Sequence, residues 1–343
     1  MTPPQQPLHQ LVVPIDRRRF LRTLLGASAG GAALAVGCGS DGGSRAKSPA
    51  AATSTPGTGA GAPASPTANP SGITPSLLTG EFVANQDNRF AVGLVNKDRK
   101  LVKGADVHLR FFTIGSDGSS STLRGEGDAQ YVELDVAGAH THDSSGAGDI
   151  GDDSVAFYVA NTPFDVAGKW GVEIGVTPSD GSSPAQIQAP FTVLEKSPTP
   201  ALGSLPPASR NDTFATNADT GSLCSRSPAC PLHDKVIGDV LGKGRPLVVQ
   251  FSTPAFCQTR FCGPVLEVLL NQVPQYQDRI DFVHIEVWQD FQLQKSRPAV
   301  TEWNLETEPW TFFMTKDGHV AAKLESIFSD DELASVLSQL ATL

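Results

Sequence analysis

Short runs in which apolar and polar residues alternate fill the chain between residues 78 and 195. The apolar members of three such runs are Phe90, Val92 and Leu94; Val107, Leu109 and Phe111; and Trp170, Val172, Ile174 and Val176. A period of two predicts strands that bury one face, and the Gly-, Ser- and Asp-rich segments between the runs predict turns. The pattern therefore predicts an antiparallel β-sandwich over residues 78–195.

The pattern changes after a Pro-rich segment at residues 196–209, which predicts a linker between two domains. Residues 247–252 are mostly apolar without polar alternation, which predicts a central strand covered on both faces. Residues 280–288 predict the next buried strand. Between these strands we predict a helix that begins near Gly263, because proline is tolerated in a first helical turn and Pro264 follows directly.

The remaining residues predict a β-hairpin and a closing helix. Asp317 and Gly318 provide the hairpin turn. Ser329 and Glu332 form a capping box at the start of the helix. The apolar stripe of this helix consists of Leu333, Val336, Leu337 and Leu340. Residues 210–343 thus predict the order strand, helix, strand, hairpin and final helix.

The N-terminal residues carry two targeting signals. Residues 16–22 read DRRRFLR, which resembles the twin-arginine export motif, with Arg17 and Arg18 as the paired arginines. A Gly/Ala-rich stretch follows and ends in AVGC at Cys38, which is similar to a bacterial lipobox, although Asp16 and Ala35 depart from the usual residues. Together they imply a signal peptide over residues 1–38, export, and a lipid on Cys38 that anchors the protein to the membrane of the cell envelope.

Composition limits what the rest of the chain does. Residues 39–77 are mostly Ala, Gly, Ser, Thr and Pro, which predicts a disordered tether. The net charge of −10 argues against a nucleic-acid partner. His140, His142 and Asp143 could in principle hold copper or zinc, but no third histidine or cysteine accompanies them, so we predict a surface loop without a metal.

The five cysteines fall into a simple pattern. Apart from Cys38 they form two close pairs, Cys224 with Cys230 and Cys257 with Cys262. Disulfides are common in exported proteins, and the Pro-containing loop around the first pair favours a structural disulfide. A redox relay to the second pair is the alternative. His233 is interpreted as a polar residue at a helix start.

Residues 210–343 resemble the thioredoxin-like superfamily. The resemblance rests on the strand that leads into Cys257 and Cys262, on the segment Glu308-Pro309-Trp310, and on the order of elements. It implies that the two cysteines are the catalytic dithiol, that Pro309 is a cis-proline facing them, and that Glu308 binds an extended substrate. The family's usual C-x-x-C is absent, because Val265 stands at the expected second cysteine.

The wider spacing leaves the roles of the two cysteines open. Cys257 lies at the usual distance from the strand, whereas Cys262 lies next to the predicted helix start, where positive potential favours a thiolate. Arg260 would strengthen that potential, or is an ordinary exposed side chain. We slightly favour Cys257 as the attacking and Cys262 as the resolving thiol.

The sequence as a whole predicts a multidomain chain, an all-β immunoglobulin-like sandwich followed by an α/β thioredoxin-like domain. The predicted function is a membrane-tethered, extracytoplasmic thiol–disulfide oxidoreductase that acts on envelope proteins with disulfides or dithiols and needs no cofactor. One alternative is a non-enzymatic lipoprotein with structural disulfides. Another is a copper chaperone similar to Sco-type proteins, which would need a histidine such as His284 or His319 near the thiols.

Overall fold

The computed structural model describes residues 72–135, 154–257 and 261–343. Several sequence predictions lie outside these ranges. They concern the export motif at Arg17 and Arg18, the lipobox at Cys38, most of the tether, the cluster of His140, His142 and Asp143, and the side chain of Arg260. No helix in the described ranges is long and apolar enough to span a bilayer.

Residues 72–135 and 154–194 form one eight-stranded sheet. Its strands are β1 (Thr74–Leu77), β2 (Phe82–Val83), β3 (Gln86–Val95), β4 (Asp106–Ile114), β5 (Ser121–Asp135), β6 (Ser154–Phe164), β7 (Gly168–Thr177) and β8 (Ala185–Leu194). They lie in the order β1-β3-β6-β5-β4-β7-β8-β2. The long strand β5 pairs with both β4 and β6, so it belongs to both halves of the sheet.

The sheet curls back on itself and encloses an aromatic core. Phe82 lies on β2, the last strand in the order, and Phe90 lies on β3, the second strand in the order. Their rings nevertheless stack, with centroids 5.5 Å apart. Phe164 packs edge-on against Phe82 and also contacts Trp170. The strands predicted from alternating residues are confirmed, because their apolar sides form this core.

A second sheet of four strands follows. Its strands are β9 (Leu247–Ser252), β10 (Asp281–Glu286), β13 (Trp310–Met314) and β14 (Val320–Glu325), in the order β10-β9-β13-β14. Only β9 and β10 are parallel; the other pairs are antiparallel. A short ribbon of β11 (Trp288–Asp290) and β12 (Lys295–Ser296) lies beside it.

The helices in the described ranges are few. They are α1 (Thr220–Leu223), α2 (Ile237–Val240), α3 (Cys262–Tyr276), α4 (Pro298–Glu302) and α5 (Asp330–Leu340). The capping box predicted for the last of them is confirmed, since Ser329 and Glu332 exchange side-chain and backbone hydrogen bonds. Its predicted apolar stripe is fully buried.

The two sheets are joined by a shared core. Apolar residues from the outer face of the eight-stranded sheet, among them Ala91, Phe157 and Val159, belong to the same cluster as residues of α3 and α5. Arg89 of β3 forms an ion pair with Glu332 of α5, with Nε and Oε1 2.7 Å apart. The predicted linker also takes part, because Ser197 and Thr199 hydrogen-bond to Glu81.

The predicted fold class is corrected by these observations. The described chain is mainly β, organised around the curled eight-stranded sheet, and a separate α/β domain of thioredoxin type is not shown. The physical reason is that three of the helices in the described ranges have only four or five residues, which leaves little helix to cover the small sheet. Contacts from the larger sheet supply part of that cover.

Candidate functional site

The first cysteine cluster lies where β9 ends and α3 begins. Cys257 lies in the loop after β9 and Cys262 is the first residue of α3. A sulfur of each and a carboxylate oxygen of Glu308 all lie within 4.8 Å of one another. The following peptide bond, between Glu308 and Pro309, is cis, as the sequence resemblance implies.

The two thiols differ in exposure. Cys257 is half-buried, whereas Cys262 is fully buried. Burial, together with the hydrogen bond and charge of Cys257, raises the pKa of the Cys262 thiol well above its usual value. Cys257 is thus the sulfur that a large partner can reach, and Cys262 is a protonated thiol behind it.

Glu308 supplies a titratable group beside the dithiol. Burial first, and then the negative charge of Cys257, raise the pKa of this carboxyl group to about 7. Its Oε1 accepts a hydrogen bond of 3.3 Å from the indole N–H of Trp288. A carboxyl group with this pKa can both accept and return a proton near neutral pH.

Aromatic side chains form a rim on one side of the dithiol. Phe256, next to Cys257, has 47% of its surface exposed and stacks on Phe291, with ring centroids 4.8 Å apart. Trp288 contacts Phe291 edge-on, and the neighbouring Leu293 is 76% exposed. Exposed apolar residues grouped in this way are typical of surfaces that bind other molecules.

A groove lies on another side of Glu308. It has a volume of about 340 Å³ and is lined by Leu77 and Leu78 of the first sheet region, and by Phe261 and Glu308 of the second. The backbone N–H groups of Gly80 and Glu81 donate hydrogen bonds to Glu325 across the same junction. The first region therefore helps to form the surroundings of the dithiol.

The second cluster contains the other cysteine pair and two histidines. Cys224, Cys230, His233 and His284 each contribute one sulfur or nitrogen atom, and all four atoms lie within 4.8 Å of one another. His284 lies in the middle of β10. The backbone N–H of His284 donates to the carbonyl of Leu232, so residues 230–233 run beside the edge of β10 and bring Cys230 and His233 to it.

The four side chains of this second cluster are all buried. Hydrogen bonding with Cys230 lowers the pKa of the Cys224 thiol, and the two imidazoles add to this effect. The same hydrogen bond, with burial, raises the pKa of the Cys230 thiol. Burial lowers the pKa of His233. Burial opposes protonation of His284 too, but the hydrogen bond and charge of Cys224 raise its pKa overall.

Comparison with known proteins gives no assignment. No family model matches the chain, and no curated protein matches it significantly. A solved structure described as "AvmM Catalyzes Macrocyclization in Alchivemycin A Biosynthesis" matches with 11% identity over 37% of this chain and 91% of that chain, at a TM-score of 0.21. Agreement at that level carries no argument about this protein, and the function must be inferred from the site.

The sequence analysis predicted some of the residues of each cluster. Cys257, Cys262, Glu308 and Pro309 were predicted together, and the structure brings them together. The disulfide between Cys224 and Cys230 stays a prediction, because in the structure the two residues are unbonded thiols that lie close together.

The interpretation of His233 as a polar residue at a helix start is wrong, because the next helix begins only at Ile237 and His233 is buried beside the two thiols. Cys230 and His233 are separated by two residues, a spacing that is common in pairs of metal ligands. This spacing could have indicated that His233 lies with the thiols. The copper-chaperone alternative needs a histidine beside Cys257 and Cys262. His284 belongs to the second cluster instead, and the cluster of Cys257, Cys262 and Glu308 contains no histidine.

Proposed function

We propose that Cys257 and Cys262 form the redox centre of a thiol–disulfide oxidoreductase. The observation that carries the proposal is the arrangement of one accessible thiol, one buried thiol and a carboxyl group with a pKa of about 7, all within 4.8 Å. A purely structural disulfide needs neither an accessible sulfur nor a neighbouring acid. The resemblance of these segments to the site of thioredoxin-like proteins supports the same conclusion.

The reaction follows from the exposure of the two sulfurs. The thiolate of Cys257 attacks one sulfur of a partner disulfide, the partner S–S bond breaks, and the first partner thiolate leaves with a proton from solvent. Glu308 then takes the proton of Cys262. The Cys262 thiolate attacks the Cys257 sulfur, and the second partner thiolate leaves with the proton from Glu308.

Two electrons pass from the dithiol to the partner in this sequence. The partner becomes a dithiol, and Cys257 and Cys262 become a disulfide. A further dithiol must then reduce the centre, and the same steps run in reverse when the protein oxidises a partner. No organic cofactor enters the chemistry.

The surroundings of the centre favour a polypeptide partner. Phe256 is exposed and the half-buried Phe291 and Trp288 pack beside it, so together they offer a partly exposed aromatic surface next to Cys257. The groove of about 340 Å³ extends away on another side of Glu308. Such surfaces suit the apolar side chains of an extended or partly unfolded segment. Disulfide-containing or dithiol-containing proteins of the cell envelope are therefore the proposed partners.

The pH dependence of the reaction tests the role of Glu308. While its carboxyl group is protonated it cannot take the proton of Cys262, so the release step is expected to become faster as the pH rises through the pKa of Glu308. Burial keeps this pKa above its usual value in the mixed disulfide, where Cys257 carries no charge. In the Glu308→Gln variant this inflection is expected to disappear, and the release rate at pH 8 to fall by about 10²-fold. Stopped-flow kinetics of mixed-disulfide release, measured between pH 5 and 9, follow both effects.

The stability of the reduced protein gives an independent control for the same variant. Because the pKa of Glu308 is higher in the folded protein than its ordinary value of 4.5, the folded state binds more protons than the unfolded state between these two values. Stability is therefore expected to decrease as the pH rises from 4.5 to 7, and this slope should be smaller in Glu308→Gln. If Glu308→Gln changed the pH dependence of stability but left the pH dependence of the release rate unchanged, Glu308 would titrate as stated but would have no catalytic role.

The location of the protein is a separate proposal that rests on the sequence signals. We propose export through the twin-arginine motif and lipidation at Cys38, so that the folded part acts outside the cytoplasm. The Cys38→Ala variant is expected to move from the detergent phase to the aqueous phase in Triton X-114 partitioning, because the acyl chains supply the anchoring free energy. Wild-type protein found in the aqueous phase would contradict the proposal.

A further inference from the structure

Three distances between donor atoms of the second cluster match those of a tetrahedral metal site. The Nδ1 atom of His284 lies 3.3 Å from the Cys230 sulfur, 3.8 Å from the Cys224 sulfur and 3.1 Å from Nε2 of His233. A tetrahedral zinc ion, with bonds of about 2.3 Å to sulfur and about 2.05 Å to nitrogen, sets N···S at about 3.6 Å and N···N at about 3.3 Å. The observed distances agree with this geometry to within a few tenths of an ångström.

Charge favours zinc over a monovalent ion. The four residues are between 0% and 2% exposed, and an uncompensated charge in such a place is costly. Two thiolates and Zn²⁺ sum to zero, whereas two thiolates and Cu⁺ leave one negative charge. The guanidinium groups of Arg226 and Arg297 do not make up the difference, because each already pairs with a carboxylate: Arg226 with Glu267 at 2.6 Å and Arg297 with Asp212 at 3.6 Å.

A neighbouring contact sets the ring of His284 for ligation. Its Nε2 lies 3.1 Å from the backbone carbonyl oxygen of Ser252 and 2.9 Å from the hydroxyl of the same residue. A carbonyl oxygen can only accept, so Nε2 carries the proton and the lone pair of Nδ1 faces the sulfurs. A backbone partner of this kind is the usual support of a metal-ligating histidine.

The cluster also has an approach for an ion. A cavity of about 150 Å³ is lined by His233, His284 and Arg297. It adjoins the imidazoles rather than the dithiol of Cys257 and Cys262, none of whose residues lines it. A metal could therefore reach the cluster without passing the redox centre.

We propose that Cys224, Cys230, His233 and His284 bind one zinc ion in a closed, structural site. A disulfide between the two cysteines would account for the sulfurs but not for two buried imidazoles whose nitrogens converge on them. The site joins the segment before β9 to β10, and its loop reaches the redox loop, where the Ala255 N–H donates to the Ser225 hydroxyl over 3.0 Å. The proposal stands on its own observations and does not depend on the redox function.

Elemental analysis of the full-length protein, purified under reducing conditions without chelators, tests the proposal. Wild-type protein is expected to contain one zinc ion per chain. The His284→Ala and Cys230→Ser variants are expected to lose it, whereas the His108→Ala variant, which alters an exposed histidine paired with Asp128, retains it. The double variant Cys257→Ser/Cys262→Ser is also expected to retain zinc, which separates this site from the dithiol.

Cobalt gives a readout that does not depend on the variants folding. Wild-type protein stripped of zinc and refilled with Co²⁺ should show the intense visible bands of tetrahedral cobalt and an absorption from sulfur-to-cobalt charge transfer. Three results would overturn the proposal: neither zinc nor cobalt bound by the reduced protein, binding of Cu⁺ without zinc, or zinc lost from the Cys257→Ser/Cys262→Ser variant but kept by His284→Ala. A Cys224–Cys230 disulfide that is still present after purification under reducing conditions would also overturn it.

Discussion

The Cys257→Ser variant is expected to lose disulfide-reductase activity by about 10³-fold or more, because removal of a nucleophile leaves only background reaction. Cys257 is the half-buried sulfur of the pair and Cys262 is fully buried, so no other thiol of the centre can meet a protein substrate. Reduction of insulin, followed by turbidity, measures the loss. Circular dichroism of the variant serves as the check that it is folded.

The matched variant Cys262→Ser separates attack from release. It retains the attacking thiol but lacks the resolving one, so it should accumulate a mixed disulfide with its substrate, which mass spectrometry detects at Cys257. If Cys257→Ser instead trapped the substrate at Cys262, the two roles would be reversed. If neither variant differed from wild type, the redox proposal would fail.

The second large effect concerns the contact between the two sheets. The Arg89→Ala variant is expected to lower the free energy of unfolding by about 3–5 kcal/mol, because it leaves the Glu332 carboxylate buried without its partner. The side chains of Arg89 and Glu332 are only 9% and 8% exposed, and Arg89 also donates to the carbonyl of Ile327. Urea denaturation monitored by tryptophan fluorescence measures the change.

The Arg210→Ala variant is the control for that experiment. Arg210 and Asp239 also form an ion pair, but their side chains are 70% and 57% exposed, so its loss should cost less than about 1 kcal/mol. The shared core further predicts a single unfolding transition for the described part of the chain. Two separate transitions, with Arg89→Ala affecting neither, would contradict the shared core.

The sequence pattern correctly predicted those helices and strands whose formation depends mainly on residues close together in the chain. The closing helix carries its own capping box and apolar stripe, and both are formed. The residues of β9, which are mostly apolar, are all buried, as predicted for a strand covered on both faces. By contrast, the helix α2 that follows His233 covers only Ile237–Val240, and Gly242 just beyond it has a positive φ of 69°, a conformation that favours a helix end.

Long-range contacts account for what the sequence left out. His233 and His284 lie 51 residues apart in the chain, and only the passage of residues 230–233 along β10 brings them to the same sulfurs. The apolar residues on the outer face of the large sheet looked like ordinary members of a sandwich, yet they pack on α3 and α5. The wrong fold class has the same origin, because neither local pattern nor the resemblance of one segment reveals which surfaces are shared.

The reduction potential of the Cys257–Cys262 pair tests the redox assignment most directly. It can be measured on the full-length protein by equilibration with glutathione buffers and mass spectrometry of the alkylated thiols. A turning-over centre predicts a potential above about −250 mV, and a potential below about −300 mV, typical of a structural disulfide, would contradict the assignment.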